Sequence, residues 1–349
     1  MKTIKDIAKE ARVSTGTVDR VLHNRPGVSE KTREKIQALL KKYKFQKNVM
    51  ASALAYKKKF SIATLTPLTN SNEEFWHEPN RGIQTIFNEI KKYGVEVHCF
   101  YFNHFDPESF QNAFHNILEL NPNAVLLAPV FHKSSTKLIK LLEVRNIPYV
   151  FLNIDIQGQK NISFIGQNSY QSGFLSAKIL KLILSDKDDI LIIRFRKNID
   201  HHESIQSRVN GFMDYFKSKD PSRIIRSLNL KSSATSEIEL NLSKNLNNEL
   251  INDPLIKGIF VPSSYAHMAA QFIEGSEWKD IKLIGYDVHE KNIKYLKNES
   301  IDFLIDQEPF EQGYKGVEII FEKLFFNKTP KKIYNSPINI VTKENVDYI

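Results

Sequence analysis

The sequence predicts two parts: an all-α head within residues 1–60, and an α/β body whose parallel sheets form two lobes. Three observations predict them. At 349 residues the chain is about twice the usual domain size of roughly 150, so more than one domain and a large core are expected. The charge is segregated: residues 1–60 carry 16 Lys+Arg against 5 Asp+Glu, while the other 289 carry 33 against 35. After residue 60, helical spacing of apolar residues gives way to short β-branched or aromatic runs alternating with amphipathic stretches, the pattern of a parallel-sheet α/β protein. A basic segment on a near-neutral body is the electrostatic footprint of a phosphate-binding head. A disordered basic tail would show low complexity where this segment shows periodicity and caps.

The head is justified helix by helix. Thr3 followed by Asp6 has the spacing of a capping-box variant, and Ile4, Ile7, Ala8 and Ala11 fall on one face of a helix over 4–11. After Arg12 and Val13, Ser14 caps a second helix whose stripe is Val18, Val21 and Leu22. Asn24 to Gly27 is turn chemistry, Ser29 caps a third helix, and Ile36, Leu39, Leu40 and Tyr43 recur at i, i+3, i+4, i+7. Helix, tight turn, helix and supporting helix is the helix-turn-helix arrangement, in which the second helix enters the major groove and reads base edges.

In the body, strands are expected at 61–65, 95–101, 124–128, 149–153, 190–195, 258–261, 282–286 and 303–306. Helical stretches are expected at 82–93, 107–120, 134–145, 170–184, 207–217 and 309–326. Folds of this kind bind ligands beyond the carboxyl ends of their strands.

The runs Thr3-Ile4-Lys5-Asp6-Ile7-Ala8, Val13-Ser14-x-x-Thr17-Val18-x-Arg20-Val21-Leu22 and Val28-Ser29-x-x-Thr32-Arg33 resemble the DNA-binding head of the lactose repressor (LacI) family of bacterial transcriptional regulators. By that resemblance Thr15, Gly16 and Arg20 occupy base-reading positions, while Ser14, Thr17, Asn24, Ser29 and Thr32 face phosphates. The fork of Arg20 suits guanine O6/N7, and short hydroxyls approach a phosphate closely. Gly16 brings no side chain, so base information is expected from Thr15 and Arg20. Two positions depart from the family pattern: Asp19 stands where Ser is usual, and Arg12 where the turn often has Gly. The stretch Asn48-Val49-Met50-Ala51-Ser52-Ala53-Leu54-Ala55, followed by Lys57, Lys58 and Lys59, is similar to the family's hinge helix. It implies Asn48, Ala51, Leu54 and Lys57 as further DNA contacts, Leu54 being the leucine that wedges between central base pairs from the minor groove.

Further along, Ile165-Gly166-Gln167-Asn168 before Gly173, Arg208-x-x-Gly211-Phe212, Ile284-Gly285-Tyr286-Asp287 and Asp306-Gln307-x-Pro309 resemble, in order, segments of the type I periplasmic-binding-protein fold that this family uses as a sensor. The implied organisation is a helix-turn-helix DNA-binding domain over 1–47, a hinge helix and linker over 48–59, and an effector-binding and dimerisation domain over 60–349. Its N-lobe is expected at 60–165 and 303–330, its C-lobe at 166–302 and 331–349. The implied ligand residues are Phe75, Trp76, Asn153, Arg208, Ser263, Asp287 and Gln307. Such a set suits a polyol, with flat aromatic faces on ring C–H groups and charged or amide groups on hydroxyls. Leu152-Asn153-Ile154-Asp155 lacks the family's acidic-then-basic pair, and Ser263-Ser264 is smaller than its amide–acid pair. An atypical sugar is therefore expected; phosphorylated sugars, sugar acids and oligosaccharide fragments all stay open.

The implied function is a sequence-specific DNA-binding transcriptional regulator, a repressor by preference, gated by a carbohydrate-type effector. Its expected partners are double-stranded operator DNA, the effector and a second copy in a homodimer, with no membrane and no cofactor. A single cysteine, Cys99, excludes an internal disulfide. The helical, charged N-terminus does not read as a signal peptide and no apolar run spans a bilayer, so a cytoplasmic, nucleoid-associated protein is expected. No heptad-patterned tail is present to build a tetramer. An enzyme would need motifs that are missing: no Walker A run, no GxGxxG after the first strand, no GxSxG and no HExxH. His201-His202-Glu203 reads as a solvated loop rather than a metal site. A periplasmic solute-binding protein would leave the basic head unexplained, and a regulator whose sensor has lost its ligand is the remaining alternative.

Overall fold

The computed structural model describes residues 4–22, 26–43, 59–69, 75–196, 203–231, 235–278 and 280–349. The chain divides into two compact units, residues 1–56 and 57–349.

In the first unit, α1 (Ile4–Ala11), α2 (Thr15–Leu22) and α3 (Glu30–Lys42) bury Ile7, Ala8, Ala11, Val18, Val21 and Ile36 as one small core. Both caps form as the sequence requires: Thr17 N–H donates to Ser14 Oγ at 3.1 Å, and Thr32 N–H to Ser29 Oγ at 3.4 Å. The turn after α1 is a Schellman ending, with Val13 N–H on Ala8 O and Arg12 N–H on Lys9 O. Arg12 holds the left-handed position there at φ +58°, a place where the absence of a Cβ would relieve strain.

The second unit contains two six-stranded sheets. The first has the order β11-β5-β4-β3-β1-β2, using β1 (Phe60–Pro67), β2 (Val95–Phe102), β3 (Ala124–Leu127), β4 (Tyr149–Leu152), β5 (Ser163–Gln167) and β11 (Ile333–Ser336). The second has the order β12-β10-β9-β8-β6-β7, using β6 (Asp189–Arg196), β7 (Ile225–Lys231), β8 (Ile256–Phe260), β9 (Lys282–Tyr286), β10 (Phe303–Asp306) and β12 (Asn339–Val341). Every pairing is parallel except β12 on β10. Central strands such as Ala124–Leu127 and Tyr149–Leu152 are apolar along their whole length because helices cover both faces.

Each sheet therefore has two cores. In the first lobe, α4 (His77–Ile90) and α12 (Pro309–Phe326) cover one face through Ile83, Ile86, Val317 and Ile320. There α5 (Pro107–Leu120) and α6 (His132–Val144) cover the other through Phe110, Phe114, Ile139 and Leu142. In the second lobe, α7 (Ser169–Ile183) and α8 (Glu203–Lys219) supply Ala177, Leu180, Phe212 and Phe216. Opposite them, α9 (Thr235–Asn252), α10 (Ala266–Glu274) and α11 (Glu290–Lys297) supply Leu246, Leu250, Ile273 and Leu296.

The lobe boundaries expected from the sequence need correction at two places. Residues 303–306, assigned above to the N-lobe, pair with β9 and β12 and close the second sheet. Residues 333–336, assigned to the C-lobe, pair in parallel with β5 in the first. The cause is that Asp306-Gln307-x-Pro309 marks where the chain leaves, so the apolar strand before it belongs to the lobe being left. Three crossings thus join the lobes, and one side chain ties them. Gln167, buried at the end of β5, donates from Nε2 to Asp306 O at 3.0 Å and to Pro337 O at 2.8 Å.

Candidate functional site

In the head, α2 turns Val18 and Val21 inward, and the helical period therefore turns Thr15, Gly16 and Arg20 out; all three are exposed, as is Ser14. Hydroxyl pairs stand at both helix starts, Ser14 Oγ with Thr17 Oγ1 at 2.9 Å and Ser29 Oγ with Thr32 Oγ1 at 2.8 Å. A helix N-terminus with free N–H groups and hydroxyls beside it is suited to a phosphate. Of the DNA-contact residues implied by the sequence, Ser14, Thr15, Gly16, Thr17, Arg20, Ser29 and Thr32 are in the described head. Asn24, Asn48, Ala51, Leu54 and Lys57 lie outside the described residues, as do His201 and His202.

The cleft of the body is built at strand ends. Asn153 follows β4 with φ +65° and its N–H bonds Ile165 O at 2.7 Å; Asp287 follows β9 with φ +69° and its N–H bonds Ile305 O at 3.0 Å. Asn and Asp tolerate this left-handed conformation better than other residues with a Cβ. Gln307, on the second crossing, lies between them: its Nε2 donates to Asp287 Oδ1 at 2.6 Å, and its Oε1 accepts from Asn153 Nδ2 at 3.4 Å. Asn153 Nδ2 also donates to Gln312 Oε1 at 3.1 Å, and Ser264 Oγ donates to Asp287 Oδ2. Arg208 of α8 donates from Nη2 to Gln307 Oε1 at 3.2 Å and from Nη1 to Pro262 O at 3.1 Å. Its Cζ lies 3.9 Å from the centroid of the Tyr286 ring, a cation–π stack.

Asn153, Arg208, Asp287 and Gln307 are therefore one network, and Ser263 adjoins it beside Pro262. Phe75 and Trp76 form a separate edge-to-face pair, centroids 5.2 Å apart, and Trp76 packs on both cores of the first lobe. Sequence reasoning missed Gln312, Ser264 and Tyr286. Gln312 had a weak signal, a fully buried amide in the first turns of α12 just after Gln307 and Pro309.

A second layer fixes the Asp287 turn. Asn292 Nδ2 reaches the carbonyls of Tyr286, Asp287 and Ser264, and its Oδ1 accepts from His267 N–H at 2.9 Å. Burial, helped by neighbouring His289, pushes the His267 imidazole down to about 4, so it is neutral at pH 7. At the rim, His132 Nε2 of the first lobe stands 3.2 Å from Glu203 Oε1 of the second.

Residues 62–328 match the periplasmic binding protein domain, and residues 3–48 match the bacterial regulatory proteins of the lacI family. The chain belongs to the LacI family. A Bacillus subtilis (strain 168) relative described as "Probable HTH-type transcriptional repressor ExuR" is 29% identical over 215 residues, 61% of this LacI-family chain and 60% of the relative. Catabolite control protein A of Staphylococcus epidermidis is 26% identical over 153 residues, 44% of each chain. The chain thus spans 60% or less of the length of these curated relatives. Among solved structures, a candidate LacI transcriptional regulator from Bacteroides fragilis superposes with a TM-score of 0.76 at 27% identity, over 84% of this chain and 100% of that one. The glucose-galactose binding protein GanP from Geobacillus stearothermophilus shares the fold, with a TM-score of 0.71 at 18% identity over 82% and 99% of the two chains. Among the described residues of this LacI-family chain no helix is long and apolar enough to cross a membrane, and no group of three or more His, Cys, Asp or Glu could hold a metal ion.

Proposed function

We propose that this chain is a sequence-specific transcriptional repressor, acting as a homodimer in the cytoplasm, whose hold on operator DNA is set by a carbohydrate-type effector between the lobes of its body. The observation that carries the reading is the coexistence, in one chain, of an exposed helix bearing Thr15 and Arg20 with a cleft lined by buried hydrogen-bonding groups. In this reading Arg20 reads guanine, Thr15 and the backbone at Gly16 approach base edges, and Ser14, Thr17, Ser29 and Thr32 hold phosphates. Asn24 and the stretch with Asn48, Ala51, Leu54 and Lys57 complete the contact. Phe75, Trp76, Asn153, Arg208, Ser263, Asp287 and Gln307 bind the effector. An effector shifts DNA affinity only through a difference in its affinity for two states of the body.

The test is selection of bound sequences from a random DNA pool, with and without mixed mono- and disaccharides. The expected result is an enriched near-palindrome whose recovery changes with sugar. Absence of any enriched sequence sinks the DNA reading, and a palindrome indifferent to every sugar sinks the carbohydrate effector. Arg20→Ala should cost about 1–3 kcal/mol and relax one operator position.

A further inference from the structure

Arg208 is 5% exposed, so its guanidinium is a buried charge, and a buried charge is costly unless a counter-charge meets it. Among the described residues it makes no ion pair: its hydrogen bonds go to two neutral acceptors, Pro262 O and the Gln307 amide oxygen. Asp287 does not neutralise it. Gln307 stands between the two, and both Asp287 oxygens already accept from neutral donors, Ser264 Oγ and Gln307 Nε2. Two polar atoms at this place are buried without any hydrogen-bond partner, Arg208 Nε and Ser263 Oγ. They bracket Pro262, whose carbonyl Arg208 holds, so a charged donor and a hydroxyl are both left over within one turn of chain.

From this geometry we infer that the effector is an anionic sugar derivative: hydroxyls engage Asp287, Asn153 and Gln307, and a carboxylate or phosphate group meets Arg208 and Ser263. The inference rests on the proposed reading of the cleft as an effector site and narrows it to acidic ligands. A neutral polyol leaves the guanidinium uncompensated, whereas an oxyanion fits its planar fork in a charge-assisted pair. Asn153 adds to the bias. It places an amide on the first lobe where a carboxylate would repel an anion.

The test is calorimetric titration of the full-length protein with sets sharing one carbon skeleton: a neutral hexose, its aldonate, its uronate and its 6-phosphate, run for the glucose, galactose and mannose series. The expected result is at least tenfold tighter binding of an acidic member than of its neutral parent. A carboxylate or a phosphate winner then identifies the source of the anion. Arg208→Gln should erase the difference between acid and parent, while Arg208→Lys, which keeps the charge and loses the fork, should retain part of it. Parent and acids binding equally overturns the anionic effector and leaves the carbohydrate sensor standing. No binding by any member of any set overturns the sensor reading itself, and this inference with it. If Arg208→Gln does not fold, the comparison of acid with parent on the unmodified protein still decides.

Discussion

The fourth strand of the first lobe ends in Asn153, left-handed, with its N–H on Ile165 O; the matching strand of the second ends in Asp287, left-handed, with its N–H on Ile305 O. The likeness goes deeper than these turns. Strand order is the same in both sheets, and each lobe presses two helices together through a reciprocal pair of glycines, Gly82 and Gly313 in one, Gly173 and Gly211 in the other. The chemistry placed on the two frames differs. The first lobe presents Asn153, Gln312 and aromatic rings, all uncharged, whereas the second presents Arg208 and Asp287. The two lobes share backbone geometry and divide the work: one supplies shape and amides, the other supplies charge.

Four changes break or sharpen that contrast. The largest effect is expected at the glycine pairs. A Cβ at Gly173 would sit 1.8 Å from Arg208 O, and one at Gly82 would sit 2.1 Å from Phe310 O. Each Gly→Ala change should destabilise by about 3 kcal/mol through overpacking, seen in denaturant unfolding. Only Gly173→Ala should also shift the Arg208 guanidinium and weaken effector binding; equal loss of binding from Gly82→Ala would contradict the division of labour. Next, Asp287→Asn keeps the turn and removes the charge. It should cost about 1.5–3 kcal/mol of effector affinity by calorimetry, against about 1 kcal/mol for Asn153→Ala.

The third change concerns acid. His267 is held neutral in the folded second lobe, its folded pKa lowered from 6.5 to about 4. The unfolded chain therefore binds more protons over that window, and stability should fall as pH drops from 6.5 towards 4. His267→Gln should flatten the slope, measured as melting temperature against pH; an unchanged slope refutes the assignment. The smallest effect is at the rim. His132 and Glu203 are both partly exposed, so His132→Ala should change effector affinity by less than about 1 kcal/mol.

The parts legible in the sequence are those fixed by local spacing. The head helices follow from apolar period and from Ser14 and Ser29, and the central strands from uninterrupted runs such as Tyr149–Leu152. Edge strands are not legible in this way. Ile333–Ser336 is half exposed along its length and exists as a strand only because β5 is beside it, 166 positions earlier in register. The cleft shows the same limit. Asn153, Arg208, Asp287 and Gln307 come together, but Ser264 and Gln312 join through tertiary geometry that no spacing reveals, and Trp76 is held largely by core packing.

The tie made by Gln167 also has a bearing on how the chain acquires its fold. Residues 168–306 leave the first lobe at Gln167 and return at Asp306, and a hydrogen bond joins those two ends. The second lobe is thus an excursion closed on itself, and its five parallel strands, β6 to β10, all come from that one continuous stretch. The first lobe has no such independence, since α12 and β11 come from residues after the excursion. A chain emerging from its N-terminus therefore holds the whole parallel sheet of the lobe begun second before the lobe begun first receives its last helix.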